Sequence, residues 1–156
     1  MPFWTSNKKT VKATFGAGCY WKVELYFQRT FGVYETRVGF AKGKTADPQF
    51  QNKVEVVEVF YNPREVSYDT LLTVFWEIHD ATVQQPVEYR SAILGHTEEQ
   101  VIAAMASKVK YQKRNKHLVQ TEISPFHSFS PSLFYHQHYF QKRGHSIKKQ
   151  YAISSQ

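Results

Sequence analysis

The chain reads as an α+β protein, with helices packed on a mixed or antiparallel sheet in two layers. Three observations lead to that class. Short runs rich in Val, Phe and Tyr are bounded by turn residues, as strands are. Longer stretches carry apolar residues three and four positions apart, the period of amphipathic helices. Two strand patterns stand next to each other in mid-chain, so the order is not the regular strand–helix–strand repeat of a doubly wound sheet.

Residues 9–15 form the first strand pattern, and Gly16, Ala17, Gly18 and Cys19 make a turn of small residues. A helical pattern over 20–30 follows, with Leu25, Tyr26 and Phe27 among its apolar positions. Residues 33–40 read as a strand that stops at Lys42-Gly43, and a polar loop containing Pro48 runs from 43 to about 53. Residues 54–61 are the clearest strand, closed by Asn62-Pro63. Ser67 is placed to cap a helix carrying Leu71, Leu72, Val74, Phe75 and Ile78 and ending near His79-Asp80. Residues 89–94 predict a short strand, and Thr97-Glu98-Glu99-Gln100 a capping box opening a helix to about Arg114. Residues 119–123 predict a further strand and 132–143 a last helix.

At 156 residues, the chain is expected to fold as one domain, with a basic tail over 144–156. Its 42% hydrophobic and 16% aromatic content excludes a disordered chain. A single cysteine excludes an intrachain disulfide and any cysteine-rich zinc site. The N-terminal residues lack an apolar core of signal-peptide length, and no stretch would span a bilayer, so a reducing, cytoplasmic setting is expected. Much of the net charge of +7 comes from Lys108, Lys110, Lys113, Arg114 and Lys116, and from Lys142, Arg143, Lys148 and Lys149. These clusters read as solvated helix faces, and without a nucleic-acid-binding module they support only weak attraction to acidic surfaces. A monomer is expected, with no nucleic acid and no membrane as partner. Of the seven histidines, His136 and His138 come closest to a metal pair. Two positions apart on a helix they point about 200° from each other, so no metal is predicted.

Cys19 is the most informative residue. A lone cysteine is most often a buried, inert hydrophobe. At a strand-to-helix turn the alternative is a nucleophile, because the positive end of the helix dipole favours an anion there. The small turn residues leave room for a substrate to approach, and Tyr20 and Trp21 offer apolar walls. An acid to serve the thiol is offered by Glu55 or Glu58. Three positions apart on one strand, these two face opposite sides, and an inward-facing carboxyl has its pKa raised toward a useful proton donor.

Ordered blocks along residues 10–143 extend this picture. Residues 18–24 fit G-C-[FY]-W-x-x-E, and Gly32-Val33-Tyr34 and Val38-Gly39-Phe40-Ala41-Lys42-Gly43 follow. Then come Glu55-Val56-Val57 with Tyr61-Asn62-Pro63, Phe75-Trp76-Glu77-Ile78-His79-Asp80, Tyr89-Arg90-Ser91-Ala92-Ile93 and Tyr135-His136-Gln137. Together these blocks resemble the A class of peptide methionine sulfoxide reductases, which act on the S epimer of methionine sulfoxide. The resemblance implies a ferredoxin-like α/β sandwich with a mixed sheet. It implies that Cys19 attacks the sulfoxide sulfur and becomes a sulfenic acid, with Glu55 as proton donor. Tyr89 would hydrogen-bond the sulfoxide oxygen, and Tyr20 and Trp21 would hold the S-methyl group. Protein repair in an oxidative stress response follows from the same resemblance.

The departures make this a divergent one-cysteine member with shortened active-site loops. Phe50 stands where the family usually has a second tyrosine, and Gln84 where it has an aspartate; Glu88 is a poor substitute, lying next to Tyr89. No resolving cysteine follows the Tyr135 block. No bound cofactor is expected, and regeneration calls for an external thiol: thioredoxin, glutaredoxin or glutathione. The alternative is a catalytically weakened paralogue that binds methionine sulfoxide or apolar peptide segments without efficient turnover.

Overall fold

The computed structural model describes residues 11–132, so the helix expected over 132–143, the Tyr135-His136-Gln137 block, His138 and the basic tail lie outside the described residues. The described elements are β1 (Val11–Ala17), α1 (Tyr20–Gln28), β2 (Val33–Gly43), β3 (Val54–Tyr61), α2 (Tyr68–Glu77), β4 (Ser91–Gly95), α3 (Glu98–Lys113) and β5 (Glu122–Pro131). The first four strands lie in the order β4–β1–β3–β2, each antiparallel to its neighbours. That is the order of a ferredoxin-like core. β5 makes the sheet mixed: it runs parallel to β4 over Glu122–Pro125 and antiparallel to β2 over Phe126–Pro131.

The α+β class and the mixed sheet therefore agree with the sequence reading, and β3 matches it residue for residue. Two strands do not. Residues 87–89 form a 3-10 turn, and β4 begins only at Ser91. The further strand expected at 119–123 runs instead over Glu122–Pro131. Its two prolines and four serine or histidine residues hide the strand pattern, which is imposed by pairing with β4 and β2.

The sheet buries both faces. On one, Ala13, Phe15, Val57, Val59 and Ile93 meet the apolar stripes of the helices. Phe15 stacks on Phe27 of α1 at 5.0 Å between ring centres and tilts against Phe75 of α2 at 5.4 Å. On the other, Ala41, Val54, Val56, Ala92 and Leu94 pack with Phe126 and Phe129 of β5. Each fully buried Val, Leu, Ile or Phe among them contributes about 1.5–3 kcal/mol.

The helix starts follow their caps. Ser67 Oγ accepts from Thr70 N at 3.0 Å, and Thr97 Oγ1 accepts from Gln100 N at 3.1 Å. The return arm of the expected capping box lands one residue early, because Gln100 Oε1 accepts from His96 N at 2.9 Å. α1 differs from both: Cys19 is its N-cap residue in an extended conformation, with no side-chain cap of its own.

Candidate active site

The turn that carries Cys19 is shaped by two glycines. A Cβ on Gly16 would meet the Glu55 carbonyl oxygen at 2.9 Å and the Arg90 carbonyl oxygen at 3.2 Å. Only a glycine lets β1 thread between β3 and β4 at this point. Gly18 has φ of +101°, a conformation side-chain-bearing residues avoid, and it swings the chain from β1 into α1. Cys19 emerges exposed at the start of the helix.

The first turn of a helix leaves N–H groups without intrahelical partners. Here one of them, Tyr20 N, donates to Glu55 Oε1 at 3.2 Å. Glu55 thus caps α1 from β3, one residue from the thiol. The sequence left Glu55 and Glu58 open until the resemblance favoured the first, and the structure separates them. Glu58 lies on the opposite face, buried, with Arg37 Nη2 at 2.8 Å and Lys12 Nζ at 3.9 Å. Loss of solvent is the main cause that pushes the Glu55 pKa above the ordinary glutamate range, opposed by the Tyr20 N–H, raised further by the Glu88 charge and lowered by a hydrogen bond from Tyr89.

Tyr89 stands on the 3-10 turn before β4, facing both groups. Its phenol is held above the ordinary tyrosine pKa mainly by the Glu55 charge, then by lost solvent and by the charges of Glu88 and Cys19. Tyr89 therefore remains a hydrogen-bond donor throughout the physiological range. The turn is held by Arg90, which is nearly buried. Its guanidinium donates to Val87 O at 2.8 Å and Asn52 O at 2.9 Å, and pairs with the buried Glu122 at 3.0 Å.

A cleft of about 430 Å³ opens over the thiol, lined in part by Ala17, Cys19, Lys22, His79, Asp80 and Tyr89. Of the other residues expected in the site, Tyr20 is buried, its ring 6.2 Å from those of Trp21 and Phe40 and its hydroxyl accepting from Ser132 Oγ at 3.0 Å. Trp21 is half-buried against the core. The structure brings Glu55 to the helix start beside Cys19 and Tyr89, while Glu55, Tyr20 and Trp21 all stand outside the lining of this cleft. Phe50 and Gln84 line a separate depression, where Phe50 lies 5.4 Å from the Arg90 guanidinium. Among the described residues no group of three or more His, Cys, Asp or Glu is arranged to hold a metal ion.

Sequence reasoning missed Lys22, His79 and Asp80 as cleft residues. Lys22 sits one helical turn after Cys19, a spacing that carried the signal. His79 and Asp80 follow α2, and only the packing of α2 beside α1 brings them to the thiol. His79 Nδ1 lies 2.8 Å from Phe75 O, which only accepts, so Nδ1 bears the proton and Nε2 faces Ser91 Oγ at 2.8 Å as an acceptor. Burial lowers the His79 pKa and favours this neutral form.

The family model for peptide methionine sulfoxide reductase matches residues 11–156. The chain belongs to the peptide methionine sulfoxide reductases, in their A class. It is 43% identical to the peptide methionine sulfoxide reductase MsrA of Methanoculleus marisnigri, over 88% of this chain and 93% of that one. The methionine sulfoxide reductase A of Corynebacterium diphtheriae superposes with a TM-score of 0.72 at 31% identity, covering 86% of this chain and 75% of that one. Mxr1 from Saccharomyces cerevisiae in reduced form shares the fold at a TM-score of 0.78 and 24% identity, over 90% and 93% of the two chains. The same yeast protein has been solved in complex with Trx2. Against this reductase background, the Gly16–Gly18 turn, the Glu55 cap and Tyr89 are the parts of the site that the described residues hold in place.

Proposed function

We propose that this reductase converts the S epimer of methionine sulfoxide, peptide-bound or free, to methionine, with Cys19 as nucleophile, Glu55 as proton donor and Tyr89 as hydrogen-bond donor to the sulfoxide oxygen. The observation that supports the reading is the cap: one contact, Glu55 Oε1 to Tyr20 N, fixes the acid beside an exposed thiol at a helix start. Cys19 sulfur attacks the sulfoxide sulfur while Glu55 gives its proton to the oxygen, which departs poorly as a bare oxide. The S–S bond made in the attack breaks again as the oxygen passes over, so the substrate S–O bond is exchanged for a Cys19 S–O bond. The substrate gains two electrons, and Cys19 loses two to become a sulfenic acid. Glu55, now a carboxylate, is stabilised by the Tyr20 N–H and the positive end of α1. Tyr20 and Trp21, the residues expected to hold the S-methyl group, stand behind the cleft lining and back it from the core side.

With one cysteine in the chain, the sulfenic acid has no internal thiol to meet. An external thiol attacks it, water leaves, and a second thiol equivalent releases Cys19 from the mixed disulfide. Thioredoxin, glutaredoxin and glutathione are the candidate classes.

The test is a single turnover without recycling thiol, counting methionine formed and free thiol lost. Close to one methionine per chain is expected from the S epimer and none from the R epimer. Cys19→Ser abolishes it, and Glu55→Gln slows it by about 10²-fold or more. No methionine, with Cys19 still open to alkylation, would overturn the reading and leave a binding protein on a reductase fold.

A further inference from the structure

The outward face of α3 is apolar where it has no neighbour among the described residues. Ile102, Met105 and Val109 are 60%, 56% and 56% exposed, and Ala106 between them is exposed as well. On a helix these four share one stripe, since they recur at three- and four-residue steps. The stripe is bounded by charge of opposite sign at its two ends. Glu98 and Glu99 occupy the first turn, while Lys110 and Lys113 occupy the last. Such an order suits the helix dipole, which explains the charges but not the apolar stretch between them.

The pattern is self-complementary when reversed. Take the midpoint between Met105 and Ala106 as a two-fold centre. Ile102 and Val109 are then equally far from it on either side, and so are Glu98 and Lys113. Two copies of α3 laid antiparallel would set Ile102 against Val109, Met105 against Ala106, and Glu98 against Lys113, with Glu99 opposite Gln112. Every contact occurs twice, the requirement for an isologous interface. A flat anionic surface fits less well, because it would meet the acidic first turn.

We propose that α3 is a homodimer interface, with a second copy of this chain packed antiparallel along Ile102, Met105, Ala106 and Val109. This departs from the monomer expected from the sequence, where the same lysines read as solvated. None of the residues lining the Cys19 cleft lies on α3, so both clefts stay open in the dimer. Four apolar side chains flanked by one charge pair at each end make a small face, so association is weak and depends on concentration and salt.

Sedimentation velocity of the full reduced chain, from about 10 µM to about 1 mM, tests this in the range where small interfaces associate. A monomer–dimer equilibrium is expected, weakened by salt. Glu98→Lys or Lys113→Glu alone sets like charges opposite each other twice and weakens it by about ten-fold. The double variant restores association to near the wild-type level, and helical circular dichroism shows that each variant remains folded. Single-turnover methionine formation is unchanged in all three. A monomer throughout the range, a dimer indifferent to both single variants, or a double variant that fails to recover overturns the proposal. Co-sedimentation of monomer with phosphatidylserine vesicles through the same stripe would assign the face to lipid instead, and also overturns it.

Discussion

At the scale of single residues, the site turns on how Glu55 is solvated. Its carboxyl has lost water and feels Glu88, which favours the protonated form; the Tyr20 N–H and Tyr89 pull the other way, and the loss of water prevails. A raised pKa means that the acid form persists to higher pH than in an ordinary glutamate. The single-turnover rate should therefore fall as pH rises through that raised pKa, and the limb should vanish in Glu55→Gln. Tyr89→Phe gives a signed check. It removes a hydrogen bond that lowers the Glu55 pKa, so the limb should move to higher pH while the rate drops by about 10²-fold, the usual loss for one donor to a developing oxyanion. Stopped rate measurements against pH for the two variants read both effects. Cys19 and its turn stand out in the sequence because they are local, whereas the residues alone left Glu55 and Glu58 open and Tyr89 entered only through the family resemblance. Lys22, His79 and Asp80 were not legible, since nothing local tells which ends of α1 and α2 adjoin.

At the scale of elements, the segment from Pro86 to Arg90 shows why a strand pattern misled. Residues 89–94 read as a short strand, yet Tyr89 N bonds back to Pro86 O at 2.9 Å and closes a turn. Arg90 decides the outcome. Its buried guanidinium satisfies the carbonyls of Val87 and Asn52 and pairs with Glu122 on β5, so three segments meet on one side chain. Partners that far apart in sequence leave no local trace. Arg90→Ala should cost about 3–5 kcal/mol in denaturant unfolding, since it strands the Glu122 carboxylate in the interior. It should also slow single turnover, because the Tyr89 turn loses its anchor. Ser67→Ala makes the contrast. It removes only the α2 cap, costs about 1 kcal/mol and leaves the rate unchanged. That cap, like β3, was legible because its cause lies within a few residues of itself.

At the scale of the molecule, β5 ties the sheet together by changing partners. Pro125 pairs opposite Gly95 of β4, and the next residue, Phe126, opposite Gly43 of β2. A proline is tolerated at such a switch because a missing N–H breaks no continuous ladder. Beside it His96, just past β4, packs its ring on Phe126 at 4.3 Å and sets Nε2 2.7 Å from Thr14 Oγ1 on β1. Burial, with the nearby Lys12 charge, lowers its pKa from 6.5 to about 4. Between those two values the unfolded chain binds a proton at His96 that the folded chain refuses, so stability rises with pH across that window. As pH falls from 6.5 toward 4 the melting temperature should therefore drop, and below the lower value this group adds nothing further. Acid acts on the whole chain and not on one histidine, so the informative quantity is a difference between variant and wild type. His96→Gln keeps a polar group near Thr14 but does not titrate. Its melting temperature should decline less steeply than that of the wild type over this range, and parallel curves would remove His96 as the group that couples the β1–β4–β5 junction to acid.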